Sequence, residues 1–335
     1  MKQNDGSDIV SLRFSAVINF LNRNDRFILT AHETPDGDAI GSEIAFFELL
    51  KQLDKEVKII NADPAGIRYA FLDEPGDISL LTDDLTLPED LSEWSLIILD
   101  TNDTTNIGSV SKEVLPFVRD FFIIDHHEGG DNIITANHIE NEASSTCELI
   151  FNLFKEMELP VNFRAAQSLF VGIVYDTGSF IYPKTTSNTF RIAMELTALG
   201  VSPNLVYSHV YESNSISSLV LQSRVMGTLE LFFDQQVALQ IMTKEMIAQC
   251  KANYDEADTI INIPLKSHDI RVSVFLKENP EGILRCSMRS KGNIDVAGIA
   301  HEFGGGGHKT AAGFKSKFPL DEIKEKVLKK LKPLL

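Results

Sequence analysis

The chain has 335 residues and a mass of 37.3 kDa, with 43% hydrophobic and 24% charged residues and a mean hydropathy of −0.03. These values exclude a disordered, collagen-like or disulfide-scaffold protein, and the length favours two domains. The formal net charge of −17 has the wrong sign for a protein that coats duplex DNA by neutralising phosphates.

Periodicity predicts a helix over 11–22, a strand over 26–31, a helix over 39–53 and a strand over 56–60. Residues 96–99 and 121–124 are compact apolar runs, as expected of strands buried on both faces. Helices are predicted over 147–157 and 163–173, the second able to include a strand. The alternation implies an α/β domain, a doubly wound and mainly parallel sheet, over 1–190. A helix over 189–199 stops at Gly200, with Pro203 just beyond, and residues 191–214 read as a linker. Residues 215–335 read as a smaller α+β domain. Its strands fall over 225–233, 236–242, 270–276 and 283–289, and its helices over 296–302 and 321–331. In the last helix, lysines alternate with Ile323, Val327, Leu328 and Leu331, the pattern of a docked amphipathic helix rather than a nucleic-acid patch.

Charge divides unevenly along this plan. Residues 1–190 hold 13 basic and 32 acidic side chains, and residues 191–335 hold 18 and 16. The cysteines, Cys147, Cys250 and Cys286, are too scattered for a disulfide framework or a thiolate zinc site. Met1 to Val10 lacks the apolar core of a signal peptide, and no apolar run approaches the ~20 residues of a membrane span. A cytoplasmic protein without membrane attachment is the expectation.

Four apolar runs, read as strand ends, deliver metal-ligand chemistry. Residues 27–31 deliver His32, followed by Asp36 and Asp38. Residues 96–99 deliver Asp100, residues 121–124 deliver Asp125, His126 and His127, and residues 171–175 deliver Asp176. In an open α/β sheet, ligands collect beyond the carboxyl ends of the strands, so all four sets can converge. Two carboxylates 4 Å apart repel by about 4 kcal/mol at an effective dielectric near 20. The cluster must therefore protonate, splay into water or bind cations. Imidazole mixed with carboxylate suits Mn²⁺, Zn²⁺, Fe²⁺ or Co²⁺ better than Ca²⁺, and two ions ~3.5–4 Å apart can clamp a phosphoryl group. Singly, each residue has a bland reading: His32 as a core histidine, Asp100 or Asp176 as a turn residue. The ordered conjunction is what is specific.

The second domain carries Arg289 and Ser290, then Gly304 to Gly307 and His308. Consecutive glycines let backbone N–H groups approach a phosphate. Arg289 can contact it bidentately, and His308 can add a charge-assisted donor. In isolation such a run more often means a flexible loop. Asp295 reads as the cap of the helix that starts at Val296.

These motifs, in this order, resemble the DHH phosphoesterase superfamily: His32 to Asp38, Asp100, Asp125-His126-His127 and Gly172 to Gly178. The tail from Arg289 to Phe314 resembles its DHH-associated C-terminal domain. The two-domain arrangement is similar to bacterial oligoribonucleases that also dephosphorylate 3′-phosphoadenosine 5′-phosphate (pAp), and to phosphodiesterases that hydrolyse pApA in cyclic-di-AMP pathways. The resemblance implies two divalent ions, Mn²⁺ first, with Mg²⁺, Co²⁺ or Fe²⁺ as alternatives. It gives one ion His32, Asp36 and Asp100, and the other Asp38, Asp100, His126 and Asp176. His127 would face the scissile phosphate, with Asp125 orienting an imidazole. Arg289, Ser290, Gly305, Gly306 and His308 would hold a substrate phosphate. The implied partners are short single-stranded oligonucleotides or small nucleotides. A polyphosphatase or pyrophosphatase, and a non-catalytic nucleotide sensor, are the rival readings. In the stretch 180–182, core packing is favoured over a role in base stacking.

Overall fold

The computed structural model describes residues 13–73, 76–128, 137–279 and 281–335. Contacts divide it into Met1–Ser213 and Asn214–Leu335.

In the first unit, helix α1 (Ser15–Arg23) precedes β1 (Arg26–Thr30), α2 (Gly37–Gln52), β2 (Glu56–Asn61), β3 (Ile78–Leu80) and β4 (Ser95–Leu99). A short α3 (Val110–Glu113), β5 (Asp120–Asp125), β6 (Asn137–Ile139), α4 (Thr146–Glu156) and α5 (Phe163–Asp176) follow. Two more helices, α6 (Ser187–Ala198) and α7 (Pro203–Tyr211), complete it. The six strands pair in parallel in the order β3-β2-β1-β4-β5-β6. The expected doubly wound sheet is therefore present.

Alternation within the apolar runs explains why they are continuous. Phe27, Leu29, Ile97, Leu99, Phe122 and Ile124 enter the core formed with α2, α4 and α5. Ile28, Leu96, Ile98 and Ile123 enter a second core, on the opposite face, with Val110 and Val114. Strands covered on both faces have no polar phase.

The stretch 191–214 is not a linker. It lies in α6 and α7, whose Ile192, Leu196, Val206 and Val210 are buried in the first core. Their spacing of about four residues is that of a helix face against a core, and the division falls after Ser213 instead. Gly200 does stop α6, with a left-handed φ of +98°.

The second unit contains α8 (Ile216–Met226), β7 (Glu230–Phe232), β8 (Val237–Met242), α9 (Lys244–Cys250), β9 (Val272–Glu278) and β10 (Leu284–Ser290). It ends with α10 (Ala297–Glu302), β11 (Gly306–His308), β12 (Ala311–Lys315) and α11 (Leu320–Leu331). The sheet is mixed, in the order β11-β12-β10-β9-β8-β7, with only β8 and β9 parallel. Val225, expected at a strand start, instead lies near the end of α8. Helix α11 docks through Ile323, Val327 and Leu331, while Lys324 pairs with Glu230 and Lys330 with Glu302. Its lysines form a solvated face, as expected. Among the described residues, no helix is long and apolar enough to cross a membrane.

Candidate metal centre

The strand order reverses between β1 and β4, which are neighbours in the sheet. That crevice is where an open α/β sheet collects ligands. His32 follows β1 by two residues, and Asp100 follows β4 directly. Asp100 takes a left-handed φ of +61°, a region asparagine and aspartate tolerate better than most residues. Its N–H donates to the Ile124 carbonyl (3.0 Å), which ties the end of β4 to β5.

Helices α2 and α5 bring the other carboxylates in. Asp36 caps α2, its Oδ1 accepting the N–H groups of Asp38 (2.9 Å) and Ala39 (3.1 Å). Its Oδ2 lies 3.9 Å from His32 Nε2. Asp38 is fully buried, and its two oxygens accept the Thr146 and Cys147 N–H groups at the start of α4 (2.6 and 3.0 Å). Unpaired amides at a helix N-terminus favour an anion there. The neighbouring hydroxyl, Thr146 Oγ1, donates to Asp100 Oδ1 (2.8 Å).

Asp176 is the last residue of a helix, not of a strand. Residues 171–174 are buried on α5 and Tyr175 partly so, and a helix buried on nearly every side has the same continuous apolar signature as a central strand. Helices α2 and α5 can lie this close because glycine occupies the contacts. A Cβ at Gly41 would come within 2.4 Å of the Ser168 carbonyl oxygen, and one at Gly172 within 2.5 Å of Asp38 Oδ1.

Four carboxylates and three imidazoles thus converge. His32 Nε2 lies 3.7 Å from Asp100 Oδ2; His126 Nε2 lies 2.9, 3.6 and 3.8 Å from Asp176, Asp100 and Asp38. The far nitrogens are anchored, His32 Nδ1 at the Glu33 carbonyl (2.8 Å) and His126 Nδ1 at the Ala143 carbonyl (3.3 Å). His127 Nδ1 meets Asp125 Oδ1 at 2.7 Å, the orienting contact expected of Asp125.

Electrostatics records the crowding. Burial and the neighbouring Asp176 charge push Asp38 up to about 6, and burial with Asp38 and Asp36 pushes Asp100 well above the carboxylate range. For His126, burial favours the neutral ring. The close approach of Asp176 and the charges of Asp176 and Asp38 outweigh it and raise the imidazole to about 9.

The donor set fits divalent cations. Three overlapping groups, His32–Asp36–Asp100, Asp38–His126–Asp176 and Asp100–His126–His127, each place one ligand atom per residue within 4.8 Å of the others. His126 Nε2, though close to carboxylates, is buried without a well-aligned hydrogen-bond partner. All six metal ligands expected from sequence are brought together. Thr146 and Gly172, which place Asp100 and Asp38, were not among them. No local pattern marks Thr146, which lies 108 residues from Asp38.

The second-unit residues have structural partners of their own. Arg289 lies on β10 opposite Ser273 and Ala311. Ser290 Oγ donates to the Ile294 carbonyl (2.7 Å) and shapes the following turn. Gly305 and Gly307 let β11 lie tightly on β12: their Cβ atoms would fall 2.2 Å from the Gly313 carbonyl oxygen and 2.4 Å from that of Ala311. Gly306 pairs with Gly313 across the two strands. The side chain of His308 lies outside the described residues. Asp295 Oδ1 accepts the Gly298 N–H (3.1 Å) in the first turn of α10, which begins at Ala297, one residue later than expected, with Val296 at its N-cap.

Residues 26–173 match the model of the DHH family, N-terminal domain, and residues 235–334 match that of the DHHA1 domain. A probable bifunctional oligoribonuclease and PAP phosphatase of Streptococcus mutans is 28% identical over 329 residues, 96% of this chain and 99% of that protein. A cyclic-di-AMP phosphodiesterase of Listeria monocytogenes is 27% identical over 90% of this chain, which spans 46% of it. The crystal structure of an exopolyphosphatase-related protein from Bacteroides fragilis superposes with a TM-score of 0.89. It is 29% identical, with 96% of this chain and 97% of that one covered.

Proposed function

The chain belongs to the DHH family, and from that premise we propose that it is a metal-dependent phosphodiesterase. It hydrolyses short oligonucleotides to 5′-mononucleotides, with pAp as a further substrate. The observation that carries this reading is the convergence of His32, Asp36, Asp38, Asp100, His126 and Asp176 in groups linked through two shared residues, Asp100 and His126. His32, Asp36 and Asp100 would hold one cation, and Asp38, Asp100, His126 and Asp176 a second, with Mn²⁺ the first to test. Bound there, the ions would supply Lewis-acid charge to phosphoryl oxygens and make water acidic enough to attack at neutral pH.

The protein's own groups prepare the site. The amides of Thr146 and Cys147 and the hydroxyl of Thr146 fix two carboxylates before any ligand arrives, which lowers the reorganisation that binding requires. Asp125 holds His127 by Nδ1. In the imidazolium form, His127 Nε2–H is then oriented to hydrogen-bond a phosphoryl oxygen or protonate the leaving oxygen. Arg289, Ser290, Gly305, Gly306 and His308 are assigned to a terminal phosphate of the substrate. Ser290 would do so through a hydroxyl that first gives up its bond to Ile294.

The Listeria relative favours a second reading, in which pApA from cyclic-di-AMP breakdown is the physiological substrate. Turnover by the Mn²⁺-loaded chain, compared across di- to pentanucleotides, pAp, pApA, pyrophosphate and polyphosphate, separates the readings. Activity on anhydrides alone would overturn the phosphodiester assignment, and pApA preferred at least tenfold in kcat/KM would favour the second reading.

A further inference from the structure

The turn after α5 holds a feature that the metal ligands do not require. Tyr182 is 47% exposed, and its ring lies across Gly178, two residues beyond Asp176. A Cβ at Gly178 would fall 2.5 Å from Tyr182 Cζ and 2.7 Å from each Cε. Backbone supports the ring on one side, and nearly half of the residue remains open.

The support is rigid. Tyr182 N–H donates to the Thr177 carbonyl (2.9 Å), and Thr177 Oγ1 accepts the Phe180 N–H (3.0 Å). Lys184, two residues further on, donates from Nζ to the His126 carbonyl (3.3 Å), which ties the turn to the rim of the cluster. On α7, Tyr211 OH donates to the Val174 carbonyl (3.1 Å). Tyr207 is 46% exposed, its ring centroid 5.0 Å from that of Tyr211. Tyr182, on the turn after α5, and Tyr207, through Tyr211, thus expose aromatic surface near the helix that ends at Asp176.

We propose that Tyr182, with Tyr207 further along, is a stacking platform for the nucleobases of a substrate whose phosphate lies at the carboxylate–imidazole cluster. This rests on the phosphodiesterase reading above and adds its specificity. A ring accepts any base, because every base has a π face. The platform therefore selects nucleotides over bare phosphates without reading sequence. Lys184 puts a positive charge on the same rim, where a second phosphate of a short chain would pass.

The test uses the Mn²⁺-loaded full chain and a dinucleotide carrying 2-aminopurine, whose fluorescence falls when the base stacks. Rapid mixing should show quenching in the wild type and Tyr182→Phe. Tyr182→Leu, which keeps bulk but no ring, should bind about 5- to 100-fold more weakly. The KM for the dinucleotide should rise by a similar factor in Tyr182→Leu and stay within about threefold in Tyr182→Phe. An abasic counterpart should show one KM in all three. Equal quenching and equal KM in Tyr182→Leu would overturn the platform and leave the phosphodiesterase reading intact. Quenching without hydrolysis in the wild type would uphold the platform and remove that reading; neither signal would remove both.

Discussion

The two units use polar groups in opposite ways. In the first, carboxylates are buried against one another, held by helix-start amides and by the missing side chain of Gly172, in an arrangement that raises Asp38 and Asp100 toward protonation. Packing alone would not select it. In the second, Ser290 closes a turn, and Gly305 and Gly307 let two strands approach. Those contacts are ones that packing alone would also select. Geometry that works against stability points to a site, whereas geometry that serves it is neutral about function.

The contrast is sharpest at the shared carboxylate. Asp100→Asn should lower kcat by about 10³-fold or more, the scale of losing a central electrostatic contact. With a chelator present, the same variant should unfold at a higher temperature than the wild type, because a buried repulsion is gone. Loss of both activity and stability would mean that Asp100 is structural.

A second test uses Glu43, buried on α2, whose Oε2 accepts from Asn61 Nδ2 (2.9 Å), while Asn61 Oδ1 accepts from Thr30 Oγ1 (3.3 Å). Burial raises its carboxyl from 4.5 to about 8. A raised acid contributes stability below its unfolded value and loses it as pH climbs toward the folded one. The chelated wild type should therefore lose about 3 kcal/mol from this group between pH 4.5 and pH 7. Glu43→Gln should remove that share of the slope. Parallel denaturation curves for the two proteins at both pH values would show that Glu43 is not protonated.

Gly172→Ala puts a methyl group 2.3 Å from Cys147 Sγ and 2.5 Å from Asp38 Oδ1. Urea unfolding should show a loss of about 2 kcal/mol, with weaker metal binding by calorimetry. In the second unit, Arg289→Ala should raise KM about fivefold with kcat little changed, the mark of binding shared by ground and transition states. An unchanged KM would leave packing as its whole role.

Much of this was legible in the sequence. The central strands announce themselves as runs covered on both faces, and the ligands follow three of them within two residues. Asp176 is expected at a strand end but closes a helix, because a thoroughly buried helix and a buried strand share one apolar signature. The helix over 189–199 is present as α6, but α7 escapes sequence reading because Gly200 and Pro203 suggest a break, although Pro203 begins α7. The donors from α4 to Asp38 could not be read at all. They are backbone groups brought in by folding, and a backbone amide has no letter in a sequence. Tyr182 had been favoured as core, but Ile181 and Tyr182 are both exposed and Phe180 alone packs inward.

The glycine contacts between α2 and α5 also bear on how this protein can change. Replacing helical glycine by alanine is among the most dependable routes to a hardier enzyme, worth roughly 1 kcal/mol where space allows. At Gly41 and Gly172 that route is closed, because the space a methyl group would need is taken by the Ser168 carbonyl and by a carboxylate of the cluster. Gains in thermal tolerance must come from elsewhere in the chain. A scan of all substitutions should find these two side-chain-free positions as intolerant as the ligands, a pattern that would map the helix crossing without any reference to chemistry.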